Sequence, residues 1–171
     1  TSRHLHYNNP VDPTTTLGPM ARENLQQQVL DQLKRGELDS QQIRFKYIPK
    51  TPPQGYFIAP HIIDARTLHQ NNPLLIEEVF GPIAICDSFE STDDAIEKAN
   101  RTTFGLAASI WSNDPATVNA CIKHIECGTV AINKAVHSAF DTPFGGWKQS
   151  GIGLELGISG AISFTRFKAI Q

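Results

Sequence analysis

Cysteine is scarce: three residues in 171, at positions 86, 121 and 127. An odd number without paired spacing fits a reducing compartment, the cytoplasm, better than a disulfide framework. Each thiol is expected to be buried and structural, Cys86 in an apolar strand and the other two on or near a helix. The six histidines, at 4, 6, 61, 69, 124 and 137, do not fall into metal-binding spacing, so no metal site is expected. Charge is modest and nearly balanced, 15 basic against 17 acidic residues. No basic run exceeds two adjacent residues, which argues against a nucleic-acid partner. Long apolar runs are missing as well. None approaches the roughly 20 residues that span a bilayer, so no membrane partner is expected. The first six residues, Thr1-Ser2-Arg3-His4-Leu5-His6, carry no signal-peptide core. With 40% apolar residues and no internal repeat, the composition is that of one globular domain rather than of a disordered chain or a coiled coil.

What the chain does have is rhythm. A polar, turn-rich start over residues 1–18 leads to a helix expected over about residues 19–35. There Leu25, Val29, Leu30 and Leu33 recur at helical spacing, and Gly36 supplies a stop. A loop is expected at Thr51-Pro52-Pro53-Gln54-Gly55. A strand-like stretch follows over 56–63, interrupted by Pro60. From Pro82 the alternation is clean. Residues 83–86 read as a strand, and Ser91-Thr92-Asp93-Asp94 opens a helix to Asn100. Residues 106–111 read as a strand, and Ser112-Asn113-Asp114-Pro115 caps a helix to about Glu126. Residues 128–133 read as the next strand. Strand–helix–strand alternation predicts an α/β fold, mainly parallel, with right-handed crossover helices. A long loop over 134–153, a short helix near 154–157 and a terminal strand over 163–170 complete the reading.

Two motifs carry possible chemistry. Glu77-Glu78-Val79-Phe80-Gly81-Pro82 places carboxylates and an aromatic just before a strand, suited to a ribose diol and a flat ring. It reads equally as a solvated acidic turn. Pro143-Phe144-Gly145-Gly146-Trp147-Lys148-Gln149-Ser150-Gly151-Ile152-Gly153 has four glycines in nine residues and a lysine, which suggests phosphate. Its order is neither a P-loop nor a Rossmann fingerprint. His137, Ser138 and Asp141 are too close in sequence to form a nucleophilic triad.

Taken together, in this order and separation, these motifs resemble the C-terminal part of the NAD(P)-dependent aldehyde dehydrogenases. The resemblance runs through Asn9-Pro10-Val11-Asp12, Leu17-Gly18-Pro19, Gly55-Tyr56-Phe57 and the 77–82 motif. It continues in Phe104-Gly105-Leu106-Ala107-Ala108, Gly128-Thr129-Val130 and Ile132-Asn133. It closes in Phe144-Gly145-Gly146, Lys148, Ser150-Gly151 and Glu155-Leu156-Gly157. Leu17-Gly18-Pro19-Met20-Ala21-Arg22 and Val136-His137-Ser138 are most similar to the succinate-semialdehyde dehydrogenase-like branch. The resemblance implies oxidation of an aldehyde to an acid through a cysteine thioester, with hydride passing to NAD or NADP.

By the same resemblance, Glu78 holds the nicotinamide ribose and Phe80 packs near that end of the cofactor. Ser138 and Phe144 line the aldehyde pocket, Ser138 gripping a substrate carboxylate. Glu155 is a proton relay or a structural carboxylate near the active site. No catalytic residue is expected in this chain. The family's nucleophilic cysteine, general-base glutamate and cofactor domain correspond to an N-terminal part outside it, and the isolated chain is expected to be inactive. Residues 163–171 correspond to a terminal strand through which subunits form a homo-oligomer. Two positions depart from the pattern: Leu154 stands where the family commonly has arginine, and Asp141 where the closest branch does. Two rival readings remain at this point. One is a non-catalytic oligomerisation or interaction module derived from the same fold. The other is an independent phosphate-binding α/β domain, which requires the 144–153 loop to open a helix.

Overall fold

A computed structural model describes residue 6, residues 8–46 and residues 54–171. The segment Thr1-Ser2-Arg3-His4-Leu5 and the loop residues Thr51-Pro52-Pro53 lie outside the described residues. The chain falls into two compact units, residues 1–88 and 89–171.

The first unit begins with α1 (Glu23–Arg35), four residues later than the sequence periodicity suggests. Val29 is fully buried, whereas Leu30 is exposed. Gly36 ends the helix as expected, but in right-handed geometry, φ −67°. The left-handed residue is Glu37. Glycine is needed at 36 for space, because a Cβ there would collide with the Leu74 side chain. Three strands follow: β1 (Ile43–Lys46), β2 (His61–Asp64) and β3 (Ile83–Cys86). The strand expected from residue 56 starts only at 61, after Pro60, which cannot donate to a ladder. The sheet order is β1-β2-β3, with β1 antiparallel to β2 and β2 parallel to β3. A single helical turn, α2 (Pro73–Ile76), lies in the β2–β3 crossover. Asn72 caps it by accepting from Leu74 N at 3.0 Å, and its amide donates to the Gly36 carbonyl at 2.9 Å. One asparagine thus serves two helix ends. Cys86 is exposed, not buried. Along β3 the burial alternates, and Ala84 and Cys86 share the exposed side.

The second unit contains α3 (Thr92–Asn100), β4 (Phe104–Gly105), β5 (Ala107–Ile110), α4 (Pro115–His124) and β6 (Thr129–Ile132). Here the capping signals act as read. Ser91 accepts from Asp94 N at 3.1 Å. Asp114 accepts from Thr117 N at 3.0 Å, with Pro115 in the first turn. β5 and β6 pair in parallel across α4. The core is Ile96, Ile110 and Cys121, packed by Val118, Ala120, Ile125, Val130 and Ile132. The Gly-rich stretch is not open loop. It forms β7 (Phe144–Gly145) and β8 (Trp147–Lys148), and β9 (Leu154–Glu155) follows. β8 pairs antiparallel with β4, and β7 antiparallel with β9.

The α/β class therefore holds, and both crossover pairs are parallel. The other pairings, β1 with β2, β4 with β8 and β7 with β9, are antiparallel. Two terminal expectations are corrected. Residues 154–155 are strand, and the helix is α5 (Gly157–Ser163). Residues 164–171 form no strand, and Phe164, Phe167 and Ile170 are 87%, 90% and 92% exposed. A strand exists only when an edge receives it, and a lone chain provides none here.

Candidate functional site

In the first unit, the 77–82 motif runs as a strap along one face of α1. At its start, Arg35 donates Nη1 to Glu77 Oε1 and Nη2 to Glu77 Oε2, each at 2.6 Å. One turn back along the helix, Gln32 Nε2 donates to Glu77 Oε2 at 3.1 Å and to the Glu78 carbonyl at 3.0 Å. A further turn back, Gly81 rests on Val29. A Cβ at Gly81 would lie 3.0 Å from a Val29 methyl, so a larger residue there would press on Val29. The hydrogen bonds from Arg35, and then from Gln32, hold the Glu77 carboxyl down to about 2.

Glu78 is treated differently. Its side chain is exposed and accepts no hydrogen bond among the described residues. Together with Phe80 it lines a concavity of about 380 Å³, closed on the other side by Leu25, Gln28, Gln32 and Arg35. Phe80 is 72% exposed and also borders an apolar groove with Leu17, Pro19, Met20 and Pro82. A carboxylate with open acceptor sites beside an uncovered aromatic ring suits a polyhydroxylated group joined to a flat heterocycle.

In the second unit, Phe144 and Glu155 are directly paired across β7 and β9. Phe144 and Glu155 also border a depression of about 420 Å³ with Leu106, Ser150 and Leu154. The Glu155 and Ser138 side chains are exposed and accept no hydrogen bond among the described residues, and Ser138 lies in the loop that follows β6. Asn133 turns that loop off the strand with φ +52°. Its side chain accepts from Ser112 N and donates to Ser112 O, locking β5 and β6 together at the exit.

Lys148 is committed elsewhere. Its ammonium donates to the carbonyls of Asn100 at 2.8 Å and Thr102 at 3.1 Å, and pairs with Glu126 at 2.7 Å. An ammonium has three protons, so none remains for a phosphate. The 144–153 loop also opens no helix, because β9 intervenes before α5. The phosphate-binding reading therefore loses the helix it requires, and its lysine is already paired. Cys121 and Cys127 are buried, and burial raises both thiols, which makes them poor nucleophiles. Among the described residues no group of His, Cys, Asp and Glu converges to hold a metal ion. No helix there is long and apolar enough to cross a membrane.

The sequence pattern passed over Gln32 and Arg35. Both lie on the α1 face already marked by Leu25 and Val29, but their partners are 45 and 42 residues away. Helical periodicity marks a face, not what it meets.

Parallel strand pairs joined through helices define an α/β protein. A model of the aldehyde dehydrogenase family matches residues 1–170. The chain belongs to that family. It is 37% identical to succinate-semialdehyde dehydrogenase [NADP(+)] 1 of Mycobacterium ulcerans, over 97% of this chain and 36% of the relative. It is 33% identical to aldehyde dehydrogenase [NAD(P)+] 1 of Saccharomyces cerevisiae, over 95% of this chain and 32% of the relative. Among solved structures, it resembles a Mycobacterium tuberculosis aldehyde dehydrogenase complexed with NAD+, with a TM-score of 0.84 and 30% identity, over 96% of this chain and 34% of that one. It also resembles succinic semialdehyde dehydrogenase from Streptococcus pyogenes in complex with NADP+, with a TM-score of 0.81 and 33% identity, over 95% and 35%. The chain spans about a third of the length of the curated relatives it matches.

Proposed function

We propose that this chain is the C-terminal portion of an NAD(P)-dependent aldehyde dehydrogenase, and that it contributes cofactor- and substrate-facing residues while an N-terminal part supplies the nucleophilic cysteine, the general base and the dinucleotide domain. The observation that carries this reading is the state of Glu78. It is the one carboxylate of the 77–82 strap left open, and it shares a concavity with an exposed Phe80. That pair fits a nicotinamide riboside. Glu78 would accept hydrogen bonds from the ribose hydroxyls, and Phe80 would cover one side of the ring. The cofactor supplies the hydride acceptor when bound. Ser138 and Phe144 would line the aldehyde pocket, with succinate semialdehyde as the candidate substrate, supported by identity to two relatives named for that activity. Glu155, open and paired with Phe144, would relay a proton or serve the loop structurally. Residues 163–171 would join subunits into a homo-oligomer, and the three free cysteines fit a cytoplasmic setting.

The test uses the full-length enzyme. Glu78→Gln keeps size and fold but removes the charge that holds the diol. Misplacing a reacting group by about 1 Å can cost roughly 10²-fold in rate. Single-turnover hydride transfer is expected to slow toward that extent while thermal stability holds. A parent-like rate would overturn the assignment of Glu78. The 171-residue chain alone is expected to reduce no NAD(P) with any aldehyde, and turnover by it would overturn the division of labour.

A further inference from the structure

Gln32 and Arg35 stand one turn apart on α1 and both reach the strap that displays Glu78. The strap is fastened at three places: Glu77 to Arg35, the Glu78 carbonyl to Gln32, and Gly81 to Val29. Between the second and third fastenings nothing holds the side chain of Phe80, which is 72% exposed. We propose that Gln32 and Arg35 are positioning residues for cofactor binding: they fix the peptide that carries Glu78, so that its carboxylate is presented ready-made to the nicotinamide ribose. This rests on the assignment of Glu78 above.

Gln32 uses a single amide nitrogen to bridge Glu77 Oε2 and the Glu78 carbonyl. Holding that carbonyl fixes the plane of the 78–79 peptide, and with it one end of the backbone from which the Glu78 side chain departs. A ligand meeting a preset carboxylate does not spend binding energy on ordering it. Arg35 acts on the neighbour. Its fork takes both oxygens of Glu77, so Glu77 cannot swing round to compete for the diol. It also balances the charge of Glu77, which would otherwise stand beside Glu78 and repel an anionic cofactor. Both also line the concavity, but their hydrogen bonds go to the strap. Both act through the strap.

The experiment uses the full-length enzyme with Gln32→Ala, Gln32→Met, Arg35→Lys and Glu78→Gln, and the double variant Gln32→Ala/Glu78→Gln. Ala and Met keep the helix, so at least one of the two Gln32 variants folds for measurement. The readouts are the Kd for NAD+ and NADP+, the KM for aldehyde and the Tm. Removing the bridge is expected to weaken cofactor binding by about tenfold, with the aldehyde KM and Tm unchanged. Lysine at 35 keeps the charge but not the fork, and is expected to give a smaller loss. In the double variant the losses do not add, because Gln32 works through Glu78. Parent-like cofactor binding in both Gln32 variants, beside weakened binding in Glu78→Gln, would overturn the positioning role and leave the Glu78 assignment standing. Parent-like binding in Glu78→Gln would overturn that assignment and this proposal with it. Additive losses in the double variant would overturn the proposal by showing that Gln32 acts independently.

Discussion

Glu77 and Glu78 are consecutive in sequence and opposite in use. Glu77 gives both carboxylate oxygens to Arg35, while Glu78 gives α1 only its backbone carbonyl and keeps its carboxylate open. The backbone explains the split. Glu77 is extended, with φ −85° and ψ 149°, so successive side chains leave the strap on opposite sides. Glu77 meets Arg35 and Gln32, while Glu78 lines the concavity whose far wall is α1.

The first prediction concerns the pH range over which α1 holds the strap. The Glu77 carboxyl titrates at about 2 in the folded chain, against an ordinary value of 4.5, because Arg35 and then Gln32 hydrogen-bond its charged form. A depressed carboxylate contributes stability that is fully present above its unfolded value. That contribution is lost as pH falls from about 4.5 through about 2. Arg35→Ala is expected to return the Glu77 titration most of the way to its ordinary value, read from its carboxyl carbon by NMR. A titration unmoved in that variant would show that the fork does not set it.

Much of this architecture was legible, and for a local reason. Ser91, Asp114 and Pro115 are capping residues whose partners lie two or three positions away, so sequence alone placed α3 and α4 closely. The 83–86 strand was placed to the residue, since Pro82 marks its start. The terminal segment was not. Ile158 and Ile162 recur at helical spacing in a stretch of Gly, Ala and Ser, whereas Phe164 and Phe167 stand three apart and would fall on opposite faces of a strand. In the candidate site, the family resemblance singled out Glu78. Spacing could not separate it from Glu77, because what separates them is Arg35, 42 residues upstream of Glu77.

The core of the first unit gives a second prediction. Ile63 is 0% exposed and lies in the middle strand, in register with Ile43 on one side and Ile85 on the other. Truncation there leaves a cavity that two flanking strands cannot easily collapse. Ile63→Ala is expected to cost about 2–5 kcal/mol, measured by denaturant unfolding. A loss below about 1 kcal/mol, the scale of a single deleted methylene, would mean that the sheet relaxes around the site.

Lys148 provides a third. The ammonium closes the turn after α3 by holding two carbonyls and Glu126. Lys148→Met keeps the stem and removes all three donors. The melting temperature is expected to fall, because the carbonyls and the carboxylate lose their partner. Cofactor affinity in the full-length enzyme is expected to hold. A selective, salt-dependent loss of cofactor binding with an unchanged melting temperature would instead return this lysine to phosphate recognition.

The last prediction concerns assembly. Residues 164–171 leave the end of α5 without a strand partner, and they carry three of the most exposed apolar side chains of the chain: Phe164, Phe167 and Ile170. A segment with exposed apolar side chains and no strand pairing of its own can be received by an edge, and another copy of the chain offers one. A second pressure acts elsewhere. Phe140, Ile152 and Ile158 are 87%, 103% and 80% exposed, and apolar surface of this kind drives association without fixing its geometry. The two pressures separate on deletion. Removing residues 164–171 takes away the C-cap bonds from Phe164 and Thr165 but keeps residues 157–163 of α5, including the Ser163 hydroxyl bond to the Gly160 carbonyl at 2.6 Å. Ordered assembly is therefore expected to fall with the deletion, while non-specific association persists. Light scattering on the two versions over a range of concentration distinguishes the outcomes. A clean 18.8 kDa monomer at high concentration with the segment present would show that the segment recruits no second copy.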